Sequence, residues 1–325
     1  MPVIEYMDGF DDYAAADATL WGWDGPWTSM QAGRVTGQKA RLTNATRTRS
    51  LNGDIRYTIG FAWWISNSSW GADITRLLEN GTLHGLLKYN GDGTFSILRG
   101  TTVMATSPNQ GIASGIAYHL ELDYNCHDTT GSYELRLNET PIIGPTTGVD
   151  TRNGGAAGTL NQLTFVSQSG LNQDFDDLMI TKGGGFNGDC RVITSLSNAD
   201  GANTAWIASA GADYTCVDEA TPNADTDYIS SSTPGDRDTF SYPALGVVGV
   251  VKAVMVCAVA RKDDAGTRLV APVIRRGGTN YDGTAVALGT GYAGLAQVYE
   301  QDPSTAAAWT VANVDAGEYG SKLDT

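Results

Sequence analysis

Arg56-Tyr57-Thr58-Ile59-Gly60-Phe61-Ala62-Trp63-Trp64-Ile65 alternates with period two. Tyr57, Ile59, Phe61, Trp63 and Ile65 fall on one face, the pattern of a half-buried strand and not of a helix. Residues 118–124 repeat it, with Tyr118, Leu120, Leu122 and Tyr124 on one side and His119, Glu121 and Asp123 on the other. A turn-rich stretch, 125–132, follows, and then Tyr133, Leu135 and Leu137 alternate with Glu134 and Arg136. These two runs read as a hairpin with a polar, solvated outer face on which Arg136 faces Glu121 or Asp123. Residues 83–89 and 94–98 flank Asn90-Gly91-Asp92-Gly93, whose residue types accept positive φ. Residues 162–167 and 175–181 add two further short runs. Strands this short and this frequent predict an antiparallel β-sandwich.

Composition agrees. The chain has 325 residues, 40 of them Gly, and only 18% are charged, which excludes a coiled coil and a disordered tail. Its length predicts two domains. The net charge of −15 repels a phosphate backbone, so nucleic acid is excluded as a partner. The longest apolar-rich run, 245–260, is interrupted by Lys252 and is too short to span a membrane as a helix. The first residues, MPVIEYMDGFDD, carry acid where a signal peptide carries base, so the expectation is synthesis in a cytosol without export by the usual route.

Gly183-Gly184-Gly185 marks the expected boundary, giving domains 1–183 and 184–325; Gly154-Gly155 competes with it. The second half is expected to be a smaller β-sandwich. Its polar stretch 198–238 carries Trp206, Tyr214, Val217 and Tyr228 as spaced anchors, with Phe240 just beyond. Residues 247–260 are apolar on both faces, as in a covered central strand or a bulged one. Pro272 places the strand 269–274 at an edge or a bulge, and 310–318 reads as one short helix.

The chemistry sought in such a fold is glycoside cleavage by paired carboxylates. Glu121 and Asp123 lie two apart on one strand face, and Asp174, Asp176 and Asp177 are also close, but a solvated sheet face in an acidic protein looks the same. No G-x-S-x-G elbow and no nucleotide-binding glycine pattern is present, so no catalytic residue is assigned. Cys126, Cys190, Cys216 and Cys257 with His84, His119 and His127 form no zinc spacing, although Cys190 and Cys216 can meet within the second domain. Asp218, Glu219, Asp225 and Asp227 fall within ten residues. Hard oxygen ligands on loops suit calcium, the one cofactor left open, and the same density also describes a solvated loop. Trp21, Trp23, Trp27, Trp63, Trp64 and Trp70 are core, interface or displayed rings. Trp64 and Trp70, with Asp92, are the candidates for carbohydrate binding on a flat aromatic face.

Residues 118–124, then Gly131-Ser132-Tyr133-Glu134-Leu135-Arg136-Leu137-Asn138, then Phe175-Asp176-Asp177-Leu178-Met179-Ile180 resemble, in order, the strands of the concanavalin A-like (laminin-G-like) jelly roll over residues 1–182. Glu139 stands where that pattern has Gly. Its glucanase signature, two Glu flanking an Asp on one strand, is missing, so the resemblance does not imply hydrolysis. In the second half, Asn187-Gly188-Asp189-Cys190-Arg191-Val192, Asn198-Ala199-Asp200-Gly201-Ala202-Asn203-Thr204-Ala205-Trp206, Val217-Asp218-Glu219 and Asp225-Thr226-Asp227-Tyr228-Ile229 resemble runs in tailed-bacteriophage virion proteins. Ala260-Arg261-Lys262-Asp263, Asp302-Pro303 and Ala308-Trp309-Thr310 continue that likeness. It implies a non-enzymatic virion protein assembled in the host cytoplasm: a tail fibre, spike or baseplate component touching a host surface glycan, or alternatively a capsid decoration or head fibre. A glycan-cleaving enzyme is the third reading. The implied partners are other virion proteins and further copies of the chain. A fibre would be trimeric, although no heptad segment specifies it.

Overall fold

A computed structural model describes residues 2–35, 37–154 and 158–325. The fold is all-β, built of antiparallel sheets. The chain divides into two compact units, Met1–Val192 and Ile193–Thr325.

The first unit contains β1 (Val3–Asp8), β2 (Ser29–Ala32), β3 (Gln38–Asp54), β4 (Arg56–Ile65), β5 (Ala72–Glu79), β6 (Thr82–Tyr89), β7 (Phe95–Arg99), β8 (Thr102–Thr106), β9 (Tyr118–Asn125), β10 (Gly131–Leu137), β11 (Thr140–Val149) and β12 (Leu160–Lys182). Their spatial order is β11-β10-β9-β4-β12-β5-β6-β7-β8, with β1 and β3 also on β12 and β2 on β3. The long strand β12 organises the unit. Its first part pairs β5, from Gln162↔Leu78 to Phe165↔Thr75. Its last part pairs β4, from Gln173↔Ile65 to Lys182↔Tyr57. Between them the ladder with β3 breaks from Ser167 to Asn172, where Gly170 takes φ 78°, a conformation open mainly to glycine. One strand thus serves two half-sheets that close over a common core.

That core is aromatic. Phe165 and Phe175 meet at 4.2 Å between centroids, with Phe61 and Trp27 against them. Trp21, Trp23 and Trp27 are all buried, so the N-terminal tryptophans are core residues. Each such ring contributes roughly 1.5–3 kcal/mol by leaving water. Beside them the buried Asp8 carboxylate accepts from Tyr6 Oη at 3.1 Å, Tyr13 Oη at 3.0 Å, Trp23 Nε1 at 3.1 Å and Phe10 N at 2.8 Å.

Gly183, Gly184 and Gly185 all have positive φ, at 78°, 80° and 111°. The glycine run therefore turns the chain as expected, but the division between units comes later, after Val192. Residues 186–192 return to the first unit. Arg136 stacks its guanidinium 3.6 Å from the Phe186 ring centroid, and Val192 N donates to Asp177 Oδ1 at 2.8 Å. Gly155 of the competing glycine pair lies outside the described residues.

In the second unit the strands Ala199–Thr204, Arg237–Ser241, Glu318–Leu323, Leu269–Arg276 and Thr279–Asp282 lie side by side in that order, with Val286–Ala287 also on Leu269–Arg276. A ribbon of Val254–Ala260 and Ala293–Tyr299 brings Val256 against Ile274, Trp309 and Tyr319. Residues 247–253 are not part of a central strand. Gly246 and Gly249 take positive φ, at 65° and 150°, and Val248 is 99% exposed. Pro272 sits inside the sheet, not at its edge. It falls between the partner ladders that end at Val273 and Val270, where no N–H is needed on that side. The expected helix is Val311–Asp315, capped by Thr310 Oγ1 accepting from Asn313 N at 3.1 Å. Cys190 and Cys216 fall in different units. No helix among the described residues is long and apolar enough to cross a membrane.

Candidate functional site

The polar face of β9 is not solvated. His119, Glu121 and Asp123 are all buried. Gly60 on the neighbouring strand leaves room for two of them, since a Cβ there would lie 3.3 Å from Glu121 Cγ and 3.7 Å from His119 Nε2. Segment 186–192 covers the face: Asn187 N and Gly188 N donate to Glu121 Oε1 at 2.8 and 3.1 Å. Burial raises the Glu121 carboxyl, against the lowering effect of those two bonds. Asp123 is held by Arg56, with Nη2 to Oδ2 at 2.6 Å, and by Thr58 Oγ1 at 2.9 Å. Arg136 lies opposite Glu121 in the ladder, yet its ion pair is with Glu134 at 2.7 Å. Burial also drives the His119 imidazole down to about 4. Glu121 Oε2 and His119 Nδ1 are buried with no hydrogen-bond partner among the described residues.

The second acidic group occupies a bulge in β12, where the register with β4 slips between Asp176 and Met179 and Asp177 takes φ 51°. The bulge gathers acids around Arg34, which arrives from the turn before β3. Arg34 Nη2 stands 2.8 Å from Asp177 Oδ2 and its Nη1 2.8 Å from Asp189 Oδ1. Its backbone N donates to Asp176 Oδ2 at 2.9 Å, and its Nη2 donates to Cys190 O at 3.0 Å. Asp174 takes Arg41 at 2.7 Å and Lys39 at 3.1 Å. Every acid of the two pairs is thus engaged by chain, and Arg34 is the organising residue that sequence reading missed.

This cluster has a pH consequence. Burial, and then the neighbouring Asp177 charge, raise Asp176 from 3.8 to about 7. Between those values the folded chain holds a proton that the unfolded chain has released, so this group's contribution to stability falls as pH rises from 3.8 to about 7 and is level above. Asp176→Asn removes the group. Its urea midpoint, taken from pH 4 to 8, should lose that downward component relative to the unsubstituted chain; identical pH profiles would contradict the assignment.

Of the carbohydrate candidates, Trp64 is not displayed. It is 7% exposed, and Lys39 Nζ covers its ring at 4.0 Å from the centroid. Trp70 is 50% exposed. Its ring rests on Gly170, where a Cβ would come within 3.1 Å of Cζ3. The structure brings the backbones of the loops that carry Trp70 and Asp92 together. A Cβ on Gly91 would lie 2.8 Å from the Trp70 carbonyl carbon, so the two loops are in backbone contact. Tyr89 ties them further: its hydroxyl donates to Ser68 O at 2.6 Å and accepts from Gly93 N at 3.2 Å. Asp92 Oδ1 accepts from Thr94 N at 2.9 Å and Thr94 Oγ1 at 2.6 Å, bonds that hold its carboxyl below the usual range. A half-exposed indole can stack on a sugar ring, and a fixed, ionised carboxylate on the neighbouring loop can accept from its hydroxyls.

The four acids of 218–227 do not converge. Asp225 turns to Arg261 at 2.9 Å and to Tyr292 Oη at 2.7 Å. Asn223 Nδ2 bridges Glu219 Oε1, at 2.8 Å, and Asp227 Oδ1. No group of three metal-ligating side chains stands around one point among the described residues.

No protein-family model matches the chain, and no curated protein matches it. Among solved structures, Trypanosoma rangeli sialidase in complex with sialic acid is 14% identical with a TM-score of 0.35, over 48% of this chain and 26% of that one. The alginate lyase AlgAT5 from Polysaccharide Lyase family 7 is 9% identical with a TM-score of 0.30, over 47% and 74% of the two chains. The alginate lyase from Corynebacterium sp. is 10% identical with a TM-score of 0.32, over 48% and 80%. This chain spans about a quarter (26%) of the length of the sialidases it matches. Likenesses this distant carry no argument about activity.

Proposed function

We propose that this chain is a non-enzymatic structural protein of a tailed-bacteriophage virion, a tail-associated fibre, spike or baseplate component that works as a homo-oligomer among other virion proteins. The closure of both acidic pairs supports the non-enzymatic reading. Glycoside cleavage needs two carboxyls open to one sugar bond, whereas Glu121 and Asp123 are covered by residues 186–192 and Arg56, and Asp176 and Asp177 by Arg34. The virion reading rests on the residue resemblances in 186–325. The alternative placement, on the capsid as a decoration or head fibre, differs in position and copy number.

The first unit supplies host-glycan contact through Trp70 and Asp92. Trp70→Ala should abolish retention on a host-glycan array while leaving the melting temperature within a degree or two, because an exposed ring adds little to stability. Retention unchanged in Trp70→Ala removes this loop pair from the reading. Incubation with host polysaccharide should release no sugar; sustained release would establish the enzymatic alternative instead.

A further inference from the structure

Residues 186–192 contain Asn187-Gly188, and the same dipeptide occurs at 52–53, 80–81, 90–91 and 153–154. A glycine after asparagine has no Cβ to keep its backbone nitrogen away from the asparagine Cγ, so in this pair the chain attacks its own side chain most readily. Three features of the fold meet at Asn187. The Gly188 N–H donates to Glu121 Oε1 at 3.1 Å. Glu121 is 1% exposed, and its Oε2 has no hydrogen-bond partner among the described residues. Burial raises this carboxyl and so strengthens it as a base. Asn187 Nδ2 donates to Thr181 Oγ1 at 2.6 Å, which fixes the side-chain amide in place. Asn187 and Gly188 are half-buried and belong to no strand or helix, so water reaches them and no ladder bond has to break.

We propose that Asn187-Gly188 is a self-modification site, at which Glu121 is the general base and Asn187 is converted, slowly and once, to aspartate or isoaspartate. Glu121 Oε1 takes the proton of Gly188 N, and that nitrogen bonds to Asn187 Cγ. The Cγ–Nδ2 bond breaks, and Nδ2 leaves as ammonia with the proton that Glu121 held. One solvent water then opens the five-membered imide at either carbonyl, giving aspartate or isoaspartate. Nothing is oxidised or reduced, and water is the only co-reactant. Asn80-Gly81 is the internal comparison. Gly81 also takes positive φ, 84°, but its N–H donates at 2.9 Å to the neutral side-chain oxygen of Gln162, which cannot take the proton. Asn80 is exposed and Asn187 is half-buried, so exposure alone favours the opposite order. Either product puts a new negative charge close to Glu121, and isoaspartate also adds a methylene to the main chain at 187. Both changes act against the two N–H bonds that hold residues 186–192 on Glu121. The reaction is an irreversible loosening of that clasp.

The test is prolonged incubation of the full chain in warm, neutral buffer, with peptide mapping by mass spectrometry at Asn187 and Asn80. The expected result is loss of ammonia at Asn187 at least about tenfold faster than at Asn80, with aspartate and isoaspartate as products. In urea, where sequence neighbours alone act, the two rates should come within a few-fold of each other. Glu121→Gln keeps an acceptor for Gly188 N but removes the base, and it should bring Asn187 down to the Asn80 rate. Should Glu121→Gln fail to fold, the comparison of folded and urea-unfolded chain decides without it. Conversion at Asn187 no faster than at Asn80 in the folded chain, or an excess that persists in urea or in folded Glu121→Gln, would overturn the site.

Discussion

Arg34→Ala should destabilise the first unit by about 3–5 kcal/mol, the loss typical when one partner of a buried ion pair is removed. The Arg34 side chain is nearly buried, and it stands 2.8 Å from both Asp177 and Asp189. Without it Asp177 stays buried with Arg191, at 3.8 Å, as its remaining basic neighbour. Cys190 O loses one of its two donors as well, keeping Arg191 Nη1 at 3.2 Å. Arg34→Lys should recover only part of the loss, because an ammonium cannot span Asp177, Asp189 and the Cys190 carbonyl as a guanidinium does. Urea unfolding followed by tryptophan fluorescence reads this directly. A loss below about 1 kcal/mol, the range of an exposed pair, would mean the cluster is solvated and does not hold residues 186–192.

Asp8→Ala is the second large effect, again about 3–5 kcal/mol. Its carboxylate is the shared acceptor of Tyr6, Tyr13 and Trp23, all buried, and of the Phe10 N–H. Alanine leaves Tyr13, Trp23 and the Phe10 N–H without this acceptor beside the aromatic core, at about 1–3 kcal/mol for each group left unmatched and partly relieved by relaxation, while Tyr6 Oη keeps Trp21 O at 3.4 Å. Asp8→Asn keeps one acceptor oxygen and should fall between alanine and the unsubstituted chain. The quantity to measure is the unfolding midpoint, with the near-ultraviolet circular dichroism of the tryptophans as a check on the core. Equal stability of all three proteins would show that the hub is not a determinant of the fold.

Much of the first unit was legible because period two is a local signal. Tyr57, Ile59, Phe61, Trp63 and Ile65 are buried as assigned, but the opposite face of β4, Thr58 to Trp64, is buried as well, so the strand is not half-buried. The hairpin of β9 and β10 pairs as expected, Tyr133 with Tyr124 and Leu137 with Leu120. The Asn90–Gly93 turn was legible from residue types alone, with Gly91 and Gly93 at φ 83° and 86°. What covers a face was not legible. The polar side of β9 reads as solvated, since alternation tells inside from outside only when water is the alternative to core. Here a later segment of the same chain is the alternative. Arg34 and Asp177 are 143 residues apart, and no local pattern links them. Trp64 failed for a related reason: its face was inferred correctly as the one opposite Trp63, but Lys39 comes from another strand to cover it. Trp70 and Asp92 are 22 positions apart in sequence, and the packing of Gly91 against residues 69–71 and the Tyr89 hydroxyl join their loops. In the second unit the valines of 247–253 mimic a covered strand, because apolar content reads as burial while Gly246 and Gly249 break the extended run.

The central claim is that the acids of this chain hold structure and bind ligands, and that its work is done as a part of a particle. The most direct measurement is a reconstruction of the intact virion with this chain labelled. The account predicts ordered, repeated copies at the tail, with residues 186–192 still clasped over β9. Purified virions that lack the chain would contradict it.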